Sequence, residues 1–223
     1  NIRSKLKPIV RSLVKIDRLI LGDFQTNCYV VRADETATAC VIVDPGLDPD
    51  DLLGFLTQHQ LQPVAAIITH GHVDHIVGLA ALRQQYPQVK VYIHQLDARL
   101  LTDPQANLSI LAGMSFATEP ADVLLHEGDV IEEAGLQFRV LHTPGHTPGG
   151  MCLYAEAEAA VFAGDTLFAD SVGRTDFPGG DTGQLLESIR TKLFTLPDNT
   201  VVYAGHGMRT TVGREKRANP FVQ

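Results

Sequence analysis

No run in the chain approaches the roughly 18 consecutive apolar residues that a membrane-spanning helix requires, and neither an internal repeat nor a low-complexity linker interrupts it. Membrane insertion is therefore excluded as an expectation. With 44% hydrophobic residues among 223, one domain over residues 1–223 can bury a full core without disulfides or a partner. Cysteine is scarce: Cys28, Cys40 and Cys152 form no C-x-x-C pair, and each sits in an apolar run that reads as a strand. That usage fits a reducing cytoplasm. Cations are outnumbered, 18 Lys and Arg against 26 Asp and Glu, for a net charge of -8. Nucleic acid and anionic membranes are poor partners for such a chain, because affinity for phosphate comes from clustered Lys and Arg. A small-molecule substrate is expected. The one basic stretch holds Arg3, Lys5, Lys7, Arg11, Lys15 and Arg18 against Asp17, and residues 1–15 read as a basic N-terminal extension. Charges break its apolar positions too often for a secretory signal.

What is present is an alternation of short β-rich runs with helical patterns, which predicts a layered α/β domain. Strands are expected at 28–31, 39–43, 64–69, 89–93, 137–141, 151–154, 160–163 and 200–203. Helices are expected at 48–60, 76–86 and 182–194. Asp44-Pro45-Gly46 stops the second strand with a turn, whereas 102–120, broken by Pro104, Gly113 and Pro120, resists assignment. Two sheets packed face to face with helices outside are the expected architecture.

Five of the nine histidines, together with Asp74 and Asp165, fall at strand ends: His70-x-His72-x-Asp74-His75, His146, Asp165 and His206. Side chains two apart on extended backbone point the same way, so His70 and His72 can address one metal. Asp74 and His75 follow as the chain enters a helix and suit a second. A carboxylate at Asp165 has two oxygens and can bridge two cations about 3.5–4 Å apart. Four metal-competent side chains within six residues, just past a buried strand, would be a costly cluster without a cation. His59, His94, His126 and His142 read instead as surface or core residues, His142 being the best placed to support a ligand. Imidazole and carboxylate suit zinc, iron and manganese alike; the expectation is two divalent ions, with Zn2+ as the first choice.

The runs T-H-G-H-V-D-H, H-T-P-G-H-T-P-G-G, A-G-D and A-G-H, in this order, resemble the metallo-β-lactamase superfamily across nearly the whole chain. Asn27-Cys28-Tyr29, the segment from Val172 to Asp181 and the ending from Gly213 to Phe221 look like short glyoxalase II-like hydrolases. The resemblance implies a four-layer αβ/βα sandwich. It implies a binuclear site: His70, His72 and His146 on one metal, Asp74, His75 and His206 on the other, and Asp165 bridging, with Asp74 and Asp165 also catalytic. The implied reaction is hydrolysis of a hydroxyacylglutathione-type thioester by a metal-bound hydroxide, with a glutathione-linked small molecule as substrate. Arg174, Phe177, Arg209, Arg214 and Lys216 are the candidate substrate contacts. Rival readings are a mononuclear iron glutathione persulfide dioxygenase using His70, His146 and Asp165, a lactone or β-lactam hydrolase, and a non-catalytic metal-binding protein.

Overall fold

In the computed structural model, which describes residues 14–222, alternation along the strands sorts side chains into separate cores. The first sheet runs in chain order through β1 (Lys15–Leu21), β2 (Thr26–Arg32), β3 (Ala39–Val43), β4 (Gln62–Ile68), β5 (Lys90–His94) and β6 (Val123–Leu125). β1, β2 and β3 pair antiparallel, and β3 through β6 pair parallel. The second sheet contains β7 (Val130–Glu133), β8 (Leu136–His142), β9 (Met151–Ala155) and β10 (Ala160–Gly164). A small hairpin, β11 (Leu167–Phe168) and β12 (Ser171–Val172), separates these from β13 (Val201–Ala204) and β14 (Thr210–Thr211). Their spatial order is β14-β13-β10-β9-β8-β7, with β10 and β13 parallel.

Successive residues of a strand point to opposite faces. Tyr29, Val31, Val41, Val43, Ala65 and Ile67 meet Phe138, Val140, Leu153 and Phe162 between the sheets. Their neighbours Cys28, Val30, Cys40, Ile42, Ala66 and Ile68 face outward. Against that outer face lie α1 (Pro49–Gln58), α2 (Val73–Ile76) and α3 (Gly78–Gln85), through Leu52, Leu56, Ile76, Leu79 and Leu82. On the far side, Cys152, Tyr154, Val161, Ala163 and Val202 carry α4 (Thr182–Ser188) and α5 (Val212–Ala218) through Leu185 and Val212. The result is the four-layer αβ/βα sandwich. Both faces of each central strand are buried, which explains why those strands read as near-continuous apolar runs.

The three thiols are free and buried. Burial pushes Cys40 up to about 12 and Cys152 up to about 11, so neither is an ambient nucleophile. Among the described residues no helix is long and apolar enough to cross a membrane.

Several elements depart from the expectations. Residues 1–13 of the proposed basic extension lie outside the described residues, but Lys15 and Arg18 belong to β1, where Lys15 stands opposite Arg32. The helix expected at 76–86 begins at Val73 and is interrupted at Val77, where the Gly78 amide leaves the helical ladder and donates to the Gly46 carbonyl at 2.8 Å; a Cβ on Gly78 would collide with the Pro45 carbonyl. The helix expected at 182–194 is regular to Ser188 and widens into a π turn over Ile189–Leu193. Strands β6, β7 and β14 and helix α5 had no strong pattern of their own and form where the sheets and outer layer supply partners.

Phe162, 1% exposed, is ringed by Tyr29, Tyr203 and Phe138 at centroid distances of 5.3, 5.3 and 6.0 Å. Phe162→Ala is expected to cost about 3–5 kcal/mol in denaturant unfolding of the metal-free protein; a loss under about 1 kcal/mol would mean the layer between the sheets is not the main core.

Candidate metal centre

Strand ends from both sheets converge on one edge of the sandwich. β4 runs into Thr69 and His70, β10 into Asp165, β13 into His206, and the β8–β9 connection carries His146. The Thr69 carbonyl accepts from the Met151 amide at 3.0 Å, joining the sheets at this edge. Two glycines allow the approach. A Cβ on Gly205 would collide with the Asp165 carboxylate and the His75 ring, and Gly164, at φ +46°, leaves no room for one against Thr69. The A-G-D and A-G-H runs thus place their third residues by keeping the second one small.

Four imidazoles are held in one tautomer by acceptors behind them. His75 Nδ1 donates to Asp44 Oδ2 at 2.9 Å, His146 Nδ1 to the Arg174 carbonyl at 2.7 Å and His206 Nδ1 to the Phe24 carbonyl at 3.1 Å. Thr69 Oγ1 gives its proton to Asp44 at 2.7 Å and so accepts from His70 Nδ1 at 3.2 Å. In the neutral form of each ring the Nε2 lone pair then faces inward. His146 Nε2 lies 3.2 Å from His70 Nε2 and 2.9 Å from His72 Nδ1. The His70 and His146 Nε2 lone pairs face each other with no proton between them and repel, which a shared cation reverses, whereas His72 Nδ1 can donate to His146 Nε2.

The other half of the site is anionic. Asp74 Oδ2 lies 3.4 Å from His75 Nε2 and 3.2 Å from His206 Nε2, and accepts from Thr26 Oγ1 at 3.1 Å. Asp165 spans the two halves. Its Oδ1 is 3.5 Å from His75 Nε2, while its Oδ2 is 3.7 Å from His146 Nε2 and 3.5 Å from His206 Nε2. Three groups have ligand atoms within 4.8 Å of one another: His70, His72 and His146; His70, His75 and Asp165; and Asp74, His75 and His206.

Burial, reinforced by neighbouring imidazoles, lowers His70 and brings His72 down to about 3, so both are neutral donors at ordinary pH. Burial also lowers His75, but Asp74, Asp165 and Asp44 outweigh it and push the imidazole up to about 10. Burial raises the Asp74 carboxyl, but His75 and His206 outweigh it and hold the group below the usual range. One half of the site thus excludes protons and the other demands positive charge. His75 Nε2 and Asp165 Oδ1 are buried with no hydrogen-bond partner, which a cation between them would satisfy. The donor set of imidazole nitrogens and carboxylate oxygens fits divalent metals, zinc and iron among them.

Two residues essential to this geometry carried no signal in the sequence. Asp44, 2% exposed at φ +52°, accepts from the Thr69 amide and hydroxyl as well as from His75. The turn D-P-G was legible, but not the direction of its carboxylate. Asp97 is fully buried and accepts from the Gly71 amide at 3.1 Å, Thr147 Oγ1 at 2.7 Å and the Gly149 amide at 2.6 Å. It ties the His70–His75 loop to the loop of His146. Asn27 and Tyr29 fasten the end of β13: Asn27 Nδ2 donates to the Ala204 and Gly207 carbonyls, and Tyr29 Oη to Ala204.

Of the expected substrate contacts, Phe177 lies beside the centre, its ring 6.0 Å from that of His72. The Arg174 guanidinium stacks 3.9 Å over Phe177 and binds both oxygens of Asp176 at 2.7 Å, which neutralises its charge. Arg209 and Arg214 line a separate open cavity of about 610 Å³, where Arg214 is paired with Asp170 and Glu215. Lys216 instead donates to the Phe194 carbonyl. His142 supports no ligand directly; it stacks 4.1 Å from His94 and donates to the Pro148 carbonyl.

Comparison with known proteins adds a family context. The model of the metallo-β-lactamase superfamily matches residues 21–206. Hydroxyacylglutathione hydrolase GloC of Haemophilus influenzae is 37% identical over 211 residues, 94% of this chain and 98% of its own length. Among solved structures, BLEG-1 B3 metallo-β-lactamase superposes with a TM-score of 0.89 at 41% identity, over 94% of this chain and all of that one. TTHA1623 in a di-iron-bound form gives a TM-score of 0.80 at 40% identity, over 92% of this chain and 99% of its own.

Asp44→Asn keeps the volume and the left-handed backbone but replaces one acceptor oxygen with a donor. It is expected to weaken zinc binding by about 10–100-fold in a chelator competition titration; unchanged affinity would show that Asp44 does not orient His75. Zinc at 100 times its dissociation constant should stabilise the fold by about 2.7 kcal/mol, or roughly 5–10 °C in Tm. A melting curve indifferent to zinc would remove zinc as the resident ion.

Proposed function

The chain belongs to the metallo-β-lactamase superfamily as a metallo-hydrolase, and we propose that it cleaves thioesters of the hydroxyacylglutathione type. In this reading His70, His72 and His146 hold one cation, Asp74, His75 and His206 hold a second, and Asp165 offers an oxygen to each. Bound cations would polarise the carbonyl and lower the pKa of water to about 7. The observation that carries the reading is the double convergence on Asp165, whose two oxygens face different imidazoles across one edge.

The chain's own residues prepare the site before any substrate arrives. The Asp44, Phe24 and Arg174 acceptors fix imidazole orientation, so little rotamer freedom is lost when ligands engage. Asp97 holds the two histidine-bearing loops in register. What the rim lacks also bears on the leaving group. The cavity beside the centre is lined by Phe24, His72, Val73, Asp74, Leu108, Leu111, Ala112 and Phe177, where the titratable side chains are the proposed ligands themselves. A thiol with a pKa near 8.5 departs as thiolate without a protein acid, whereas an amine leaving group needs a proton. Thioesters therefore suit this rim better than β-lactams do, despite the likeness to BLEG-1.

The test couples metal analysis to turnover of S-lactoylglutathione and a β-lactam by the purified protein. Two metals per chain and faster thioester cleavage are expected, with Asp165→Ala losing more than about 100-fold in kcat/KM. One iron per chain with sulfite formed from a glutathione persulfide would establish the oxygenase reading in its place, and β-lactam turnover exceeding thioester turnover would reassign the substrate.

A further inference from the structure

The segment 102–120, which has no regular pattern, folds into a fastened cap on the metal loop. The Asn107 carbonyl accepts from the Val73 amide at 2.9 Å, inside the His70–His75 run. Asn107 Nδ2 donates to the Leu100 and Phe116 carbonyls at 2.9 Å each, and its Oδ1 accepts from the Ser109 amide at 3.0 Å. Both Asn107 and Ser109 are fully buried. The bonding forces Leu108 to φ +68°, a conformation a bulky residue adopts only when its surroundings over-determine it. Such strain is found preferentially where a side chain must be aimed.

Leu108 lines the cavity of about 160 Å³ that opens directly off His72 and Asp74. Its other walls are Phe24, Val73, Leu111, Ala112 and Phe177, with no Lys or Arg and no hydroxyl. Leu111 is 72% exposed and Phe24 50%, so large apolar side chains stand in water at the mouth. The wall is also built from residues that position the ligands: Phe24 supplies the carbonyl behind His206, and Phe177 lies under the Arg174 whose carbonyl orients His146.

We infer that this cavity binds the acyl half of the substrate and selects an apolar substituent of about phenyl size. The inference rests on the thioesterase reading and names the substrate class within it. An apolar cavity of roughly 150 Å³ takes one benzene molecule, which sets the size. Chemistry sets which half enters. A glutathione-like carrier bears carboxylates that would find no cation in these walls, whereas a substituent beside the reacting carbonyl reaches the cavity straight from His72 and Asp74. Burying a phenyl in place of a methyl should favour the larger acyl group by roughly 10–100-fold.

Two arms test this on the metal-loaded protein. In the first, kcat/KM is compared for the 2-hydroxy-2-phenylacetyl and 2-hydroxypropanoyl thioesters of glutathione; in the second, calorimetry compares binding of the two free acids. The phenyl compound is expected to lead by at least about tenfold in both. Leu111→Ser, at an exposed position, should pull both ratios toward one, while Leu124→Ser, 49% exposed on β6, should leave them unchanged. Equal binding of the two acids, or ratios indifferent to Leu111→Ser, overturns the proposal. If neither thioester is cleaved, the hydrolase reading falls, and the free-acid arm still decides the cavity.

Discussion

Neutral imidazoles whose lone pairs face one another repel, and much of the polar bonding at this edge of the sandwich holds them together regardless. His146 Nε2 lies 3.2 Å from His70 Nε2 and 2.9 Å from His72 Nδ1, and a cation shared by the three rings relieves the facing lone pairs. The carboxylates beside them require positive charge just as strongly, as the upward shift of His75 shows. The energy of keeping the cluster is met by the fold: buried acceptors behind the rings, glycines that let strand ends touch, and two sheets joined at Thr69 and Met151.

The layers make this rigidity possible. Strands buried on both faces have little freedom to shift register, because a slip of one residue would exchange the two cores on either side of the sheet. Strand ends are therefore well-defined points. Asp44, Thr69 and His70 sit at the ends of the adjacent strands β3 and β4, which pair through Val43 and Ile67, and their mutual bonds follow from that register.

Ligand geometry and pocket shape share residues. Phe24 and Arg174 use their carbonyls to orient imidazoles, while Phe24 and the Phe177 beneath Arg174 form the apolar wall. Asn107 fastens the opposite wall to Val73, within the ligand loop itself. A substitution that reshapes the wall therefore also presses on the imidazoles, so the shape of the cavity and the geometry of the histidine cluster are physically coupled. Arg209, Arg214 and Lys216, suggested by their charge, stand apart from this coupling: two line another cavity and the third bonds a backbone carbonyl.

Strand periodicity, the main helices and the seven candidate His and Asp side chains, five of them in the turns after strands and two in the short helix that follows β4, were legible locally, because each rests on spacing within a few residues or on a turn-forming neighbour. The family motifs share that local character. Only the tertiary structure decided the roles of Asp44 and Asp97, the ring tautomers and the apolar wall from 102–120. The roles of Asp44 and Asp97 arise from pairings between residues 25 to 52 positions apart, such as Thr69 with Asp44 and Gly149 with Asp97, and most of the remaining features rest on backbone carbonyls no side-chain pattern encodes. A buried carboxylate and an exposed one look alike in a sequence; what distinguishes them is the set of donors that the folded sheets bring within reach.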